Sequence, residues 1–151
     1  MTPKEINELL VIPAEDSSSP VKSEEAEFIY NLLSEKSISR TLETGFAYAK
    51  SASHVIAATQ SKHIVCDPFQ KNYQHLGLEN IKRLNQEHLL EFHDDYSHNV
   101  LPKLLRESER FEFVFIDGDH KFDGELIDFY YADLLLEENG YILLHDTWMR
   151  S

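Results

Sequence analysis

A chain of 151 residues with 42% hydrophobic content is long enough to bury one core of ordinary size, which excludes a disordered tail. Its 14 Lys and Arg stand against 27 Asp and Glu, a formal net charge of -13 that excludes attraction to nucleic-acid phosphates or anionic membranes as the basis of function. The single cysteine, Cys66, excludes an intramolecular disulfide and suits a reducing compartment.

The opening "MTPKEINELL" has neither the basic end nor the apolar stretch of a signal peptide. No run approaches the roughly 18 apolar residues of a membrane span, so a soluble, cytoplasmic protein is expected. The polar, turn-forming "AEDSSSP" from Ala14 to Pro20 sets off residues 1–20 as an arm and linker, which either covers a pocket or mediates homodimerisation, from a main body over 21–151. Ser23 reads as an N-cap, and Ala26, Ile29, Tyr30 and Leu33 follow at helical spacing until "SEKSIS". Apolar runs then alternate with helical patterns: "RTLET", a helix over Ser51 to Ala58; "HIVC", a helix around Leu78, Ile81 and Leu84; "LLEF", a helix over Val100 to Leu105. "FEFVFI" precedes a helix carrying Leu126, Ile127, Tyr130, Tyr131 and Leu134, on which Phe129, Tyr130 and Tyr131 have the spacing of core residues. Asn139-Gly140 reads as the stop of that helix, and "YILL" is the last strand. Strands alternating with helices predict an α/β fold, a doubly wound, mainly parallel sheet covered on both faces.

In such sheets a ligand binds beyond the carboxyl ends of the strands, where the strand order reverses. Those ends are Glu43-Thr44-Gly45, Asp67-Pro68, Asp94-Asp95-Tyr96, Asp117-Gly118-Asp119-His120 and His145-Asp146. Each ends in a carboxylate, and a purely structural sheet needs no such concentration of charge on one edge. The turn "ETGFAYAKS" has one glycine, Gly45, and does not match G-x-G-x-x-G; Ala47 and Ala49 add methyl groups where a pyrophosphate needs close approach. A cofactor without phosphate is easier to accommodate. Glu43 can receive a cationic group and Asp67 can accept hydrogen bonds from two ribose hydroxyls, which are the requirements of S-adenosylmethionine.

Between Ile38 and Thr147 the chain resembles the class I S-adenosylmethionine-dependent methyltransferases, in particular the group called methyltransferase family 24. The resemblance rests on "LETGFAYAKSA", "HIVCDPFQKNYQHLGLENI", "YSHNVLPKLL" and "FVFIDGDHKFDGELIDFYYADLLLEENGYILLHDT" in that order. It implies a Rossmann-like S-adenosylmethionine-binding domain with strand order 3-2-1-4-5, followed in complete members by a further parallel strand and an antiparallel one. The sequence stops at Ser151, so a fragment is expected, or a sheet completed by another chain. The resemblance further implies that Glu43, Gly45, Phe46 and Tyr48 surround the methionine part of the cofactor, that Asp67 holds the ribose, that Asp95, Tyr96 and Ser97 meet the adenine, and that Asp117 faces the sulfonium. Ala49 stands where relatives commonly carry glycine.

Methyl transfer from a sulfonium needs alignment and, for a hydroxyl acceptor, removal of a proton. Asp117, His120 and His145 are the candidate catalytic residues, with His120 or His145 as base. Related metal-dependent O-methyltransferases carry acidic ligands at the fourth and fifth strand ends, which makes Asp117 and Asp146 candidate ligands of a magnesium-like divalent cation. The expected function is O-methylation of a small molecule. Two other readings are a non-catalytic relative kept as an interaction module and a metal-dependent hydrolase built on Asp117, His120, His145 and Asp146. Trp148 either covers the site or packs on further residues. His54, His63, His75, His88, His93 and His98 share no spacing and read as surface or locally bonded groups.

Overall fold

A computed structural model describes residues 1–18 and 20–147; Trp148 lies outside them. Helix α1 (Pro3–Leu9) and a single 3-10 turn (Ala14–Asp16) precede helix α2 (Ser23–Ser34). Then come β1 (Thr41–Thr44), α3 (Lys50–Thr59), β2 (His63–Cys66), α4 (Leu76–Arg83), β3 (Leu90–His93), α5 (Ser97–Arg106), β4 (Phe111–Ile116), α6 (Phe122–Leu135) and β5 (Leu136–Leu144). The strands form one sheet in the order β3-β2-β1-β4-β5, each pair parallel, as the family resemblance implies.

Side-chain alternation sorts the sheet into two faces. Leu42, Ile64, Val114 and Ile116 pack against Val100, Leu101 and Leu104 of α5 and Ala132 and Leu135 of α6. On the other face Phe113 and Phe115 meet Ile29 and Leu33 of α2 and Val55 of α3, and Val65 meets Ala52 and Ile56 of α3 and Ile81 of α4. Each buried aliphatic or Phe side chain here contributes about 1.5–3 kcal/mol of transfer free energy. That burial fixes where the strands end, and so where the site lies.

The polar β1 holds the centre of the sheet because its buried Thr41 and Glu43 find partners on β2 and α3. Helix α6 ends at Leu135, not at Asn139-Gly140. Residues 137–140 instead loop out between the pairs Phe111↔Leu136 and Phe113↔Tyr141, with Asn139 left-handed at φ 66°. A Cβ at Gly140 would lie 3.0 Å from the Glu112 carbonyl oxygen, so a side chain there would crowd the loop's return to the sheet. The core assignment for the α6 aromatics is also corrected: Tyr131 packs against the core, while Phe129 and Tyr130 are exposed. Ser23 is the first residue of α2 rather than its cap; the backbone N–H of Lys22 donates to Glu25 Oε2 at 2.7 Å.

The arm before residue 20 packs on the main body. Ile6 is buried among Ala57, Leu84, Leu10 and Tyr30, and the Asn80 side chain bonds both the N–H and the C=O of Val11 at 2.9 and 3.0 Å. No helix among the described residues is long and apolar enough to cross a membrane.

Candidate active site

Strand order reverses between β1 and β4, and the cleft opens there, beyond their carboxyl ends. Gly45 leaves β1 at φ +87°, and a Cβ on it would lie 2.1 Å from the Asp117 carbonyl oxygen. Only glycine lets the two strand ends run this close. The turn that follows places Ala47 and Ala49 at φ 42° and 61°, in the left-handed region. Ala49 caps α3, but its methyl packs in the core with Phe46, Ala52 and Ile56 and does not line the cleft.

The cleft, about 770 Å³ counted to its open mouth, is lined by Glu43, Gly45 and Phe46 from β1 and its turn and by Asp67 and Phe69 after β2. Tyr96 and Ser97 line it at the start of α5, and Asp117 to His120 after β4. Eight of the residues expected from the sequence therefore share one space: Glu43, Gly45, Phe46, Asp67, Tyr96, Ser97, Asp117 and His120. Of the other four, His145 and Asp146 stand beside Asp117 outside the lining, and Tyr48 and Asp95 point elsewhere. Tyr48 turns away, its hydroxyl bonded to Asp16 and its ring edge-on to Tyr73 at 5.1 Å; burial, then Asp16, pushes its phenol up to about 12. Asp95 is exposed just before α5, accepting from Asn99 Nδ2 at 2.8 Å and Tyr96 N at 2.7 Å, bonds that hold its carboxyl below the usual range.

Asp67 is almost fully committed within the protein. Its Oδ2 accepts the N–H groups of Phe46 at 2.8 Å and Ala47 at 3.1 Å, and its Oδ1 that of Phe69 at 2.5 Å. A carboxylate has about four acceptor positions, so one remains for a ligand hydroxyl. Asp67 thus fastens the β1 turn to the end of β2.

At the other wall Asp117, His120 and Asp146 each present a ligand atom, all within 4.8 Å of one another. His145 joins them: its Nδ1 lies 2.9 Å from Asp117 Oδ1 and 3.3 Å from Asp146 Oδ2, and its Nε2 lies 3.3 Å from Glu25 Oε2. The Nδ1 contact is an ion-pair approach, not an aligned hydrogen bond. The facing Asp117 carboxylate, with Glu25 and Asp146, outweighs partial burial and pushes the imidazole up to about 9.

The two partners that hold Glu43, Ser51 and His63, were missed by sequence reasoning. Glu43 is buried in the cleft wall and bonded to both; burial raises its carboxyl above the ordinary range, while those two bonds act the other way. His63 and His54, read as surface or local groups, are both fully buried. The one available signal was that Thr41 and Glu43 fall on the same face of a buried strand and require polar company there. Asp128 on α6, also missed, lies beside the hydroxyls of Ser97 and Thr44 with neither carboxylate oxygen in an aligned hydrogen bond, and burial raises its carboxyl.

A parallel sheet in this order, with an acid-lined cleft at its switch point, defines a Rossmann-like fold. The chain belongs to the methyltransferase-domain family, whose model matches residues 42–147. No curated protein sequence matches it. Among solved structures it is similar to the O-methyltransferase from Bacillus cereus in complex with SAH, at 19% identity and TM-score 0.75, covering 94% of this chain and 64% of that one. It is similar also to the O-methyltransferase TomG from Streptomyces achromogenes, involved in tomaymycin synthesis and in complex with SAM, at 17% identity and TM-score 0.73, covering 93% and 69%. The SAH-bound methyltransferase PaMTH1 of Podospora anserina matches at 16% identity and TM-score 0.75, covering 95% and 59%. At these identities the likeness shows the fold, and this chain spans about two thirds of the length of these relatives.

Proposed function

We propose that the protein is an S-adenosylmethionine-dependent methyltransferase acting on an oxygen of a small molecule. The observation that carries this reading is the cleft itself: Glu43, Asp67 and Asp117 from three strand ends face one space at the switch point, behind a turn with no phosphate-binding glycine pattern. A ligand with an ammonium, a sulfonium and a ribose, and no phosphate, fits that donor set. When bound, S-adenosylmethionine supplies the electrophilic methyl group.

The residues of the chain do the rest. Glu43 receives the ammonium, and the remaining acceptor position of Asp67 takes a ribose hydroxyl. Tyr96 and Ser97 flank the adenine end, with Phe69 edge-on to Tyr96 at 5.9 Å. Asp117 faces the reacting centre. His120, half exposed with Nδ1 3.7 Å from Asp146 Oδ2, is placed to take the proton of an acceptor hydroxyl. His145 has a different part: it already carries a proton at neutral pH, so it serves as a counter-charge that holds Asp117 in place rather than as the base. The carboxylates of Asp117 and Asp146 suit a magnesium-like cation, which would lower the acceptor's pKa while the His120 imidazole beside them stays free for the proton.

The acidic net charge of -13 supports a small-molecule acceptor over nucleic acid, and the free, buried Cys66 thiol agrees with a cytoplasmic setting. Calorimetric titration of S-adenosylhomocysteine, with and without magnesium and beside an Asp67→Asn control, tests the reading. Binding weakened by the control is expected; a folded sample that takes up no ligand in either condition overturns it.

A further inference from the structure

Beneath the cleft wall four polar side chains form one hydrogen-bonded row between β1, β2 and α3. Thr41 Oγ1 meets His63 Nδ1 at 2.8 Å, His63 Nε2 meets Glu43 Oε2 at 2.8 Å, and the Ser51 hydroxyl donates to Glu43 Oε1. All four side chains are buried, His63 and Thr41 completely. Packing does not ask for this: an apolar pair of similar volume on adjacent central strands is commonly as stable as a buried ion pair or more so. The row also ends in the cleft, because Glu43 and Ser51 are part of its lining whereas Thr41 and His63 are behind it.

We infer that His63 is a positioning residue: fixed by Thr41 on its far side, it keeps the Glu43 carboxylate charged and aimed into the cleft, ready for the ammonium end of the cofactor. This rests on the methyltransferase reading for the identity of the cation, though not for the state of Glu43. The other groups facing Glu43 do not replace His63. Asp117 from β4 repels its charge, as a negative neighbour must. Cys66 and Asp67 at the end of β2 are a thiol held neutral by burial and a carboxylate already bonded to three N–H groups. Lys50 of α3 lines the same cleft, but its ammonium bonds the Ser23 hydroxyl at 3.1 Å. Burial is already the largest influence on Glu43, and without the imidazole its main opposition is gone, so the carboxyl takes up a proton more readily and loses its attraction for a cation.

The test uses the whole chain with His63→Leu, which removes the partner, and His63→Gln, which restores one N–H. Affinity for S-adenosylhomocysteine is measured by calorimetry from about pH 6 to about pH 9, and the titration of the Glu43 carboxyl is followed by carbon-13 NMR. His63→Leu is expected to bind about tenfold more weakly at neutral pH, with affinity returning as pH rises, and His63→Gln to recover part of the loss. The Glu43 midpoint should move upward in both variants. A folded His63→Leu that binds like the parent at every pH overturns the inference, and so does a loss equal at all pH values with no movement of the Glu43 midpoint, which would mean a packing role alone. Should His63→Leu fail to fold, Thr41→Val carries the same two measurements with His63 and Glu43 both left in place, and an unchanged Glu43 midpoint and affinity there overturn it. If the parent binds no ligand, the methyltransferase reading fails, while the NMR midpoint still decides the role of His63.

Discussion

Replacing Asp67 should cost folding before it costs ligand. Its carboxylate accepts three backbone N–H groups, from Phe46, Ala47 and Phe69, and only 4% of the residue is exposed. A hydrogen bond to a charged group contributes ~1.5–3 kcal/mol, and bonds sharing one acceptor fall short of additive, so Asp67→Ala should lose about 4 kcal/mol. Against a typical stability of ~5–15 kcal/mol that is severe. At ~2–4 °C per kcal/mol for a chain of this size, the melting temperature should fall by roughly 10 °C. Asp67→Asn separates the two roles. Both the Phe46 and Ala47 bonds use Oδ2, so an amide oxygen placed there keeps them, and only the Phe69 N–H meets a donor instead of an acceptor. Its loss should be about half as large. Thermal melts of the three proteins followed by circular dichroism, before any binding experiment, check this. An Asp67→Ala protein melting within experimental error of the parent would refute the clamp, and with it the account of how the β1 turn is held.

Gly45→Ala should lose ~3 kcal/mol or more, since the new methyl falls 2.1 Å from the Asp117 carbonyl oxygen in a left-handed backbone; a melting curve matching the parent would contradict the close approach of β1 and β4. Asp128→Asn should stabilise by about 1 kcal/mol at neutral pH, because the folded state raises this carboxyl and stability is therefore lost as pH climbs above its unfolded value; a lower melting temperature would count against a buried charge without partners. His145 gives the opposite kind of linkage: its folded value is raised to about 9, so its contribution is complete below its unfolded value of about 6.5 and fades as pH rises through about 9. With chelator present, the parent should lose ~1 kcal/mol between about pH 6 and about pH 10 relative to His145→Gln, the figure being reduced because the ring is partly solvated; parallel curves would refute the ion pair with Asp117.

The parallel sheet and the cluster of carboxylates were legible because they depend on alternation and on the rule that parallel strands end together at one edge; the strand order came from the family resemblance. What could not be read was the direction of side chains in turns. Ala47 and Ala49 both sit in the left-handed region, so neither the parity of a strand nor the period of a helix predicts that Phe46 enters the cleft while Tyr48 leaves it. Asp95 stands next to a helix start, where local hydrogen bonds compete with ligand binding for the same carboxylate, and those from Asn99 and Tyr96 hold it here. Helix α6 carries large apolar residues around most of its circumference, so periodicity did not tell Tyr131, on the core, from Tyr130, on the surface. Asn139-Gly140 was recognised as a break in the chain, but a glycine marks a close approach as readily as a helix end.

The concentration of acid at the strand ends poses an electrostatic problem that the fold resolves locally. Glu43 has His63 and Ser51, Asp67 has three backbone N–H groups, and Asp117 and Asp146 share His145. Each charge is thus held in position before any ligand arrives, which is what a binding site for cations needs: carboxylates that are oriented, and that still have acceptor positions to spare. Asp128 breaks the pattern, with no cation and no aligned donor. It also lies behind the cleft wall rather than in the lining. Glu43, Asp67 and Asp117, each compensated, line the ligand space and Asp146 adjoins Asp117 outside the lining, whereas the uncompensated Asp128 lies behind the wall, so compensation does not follow burial alone.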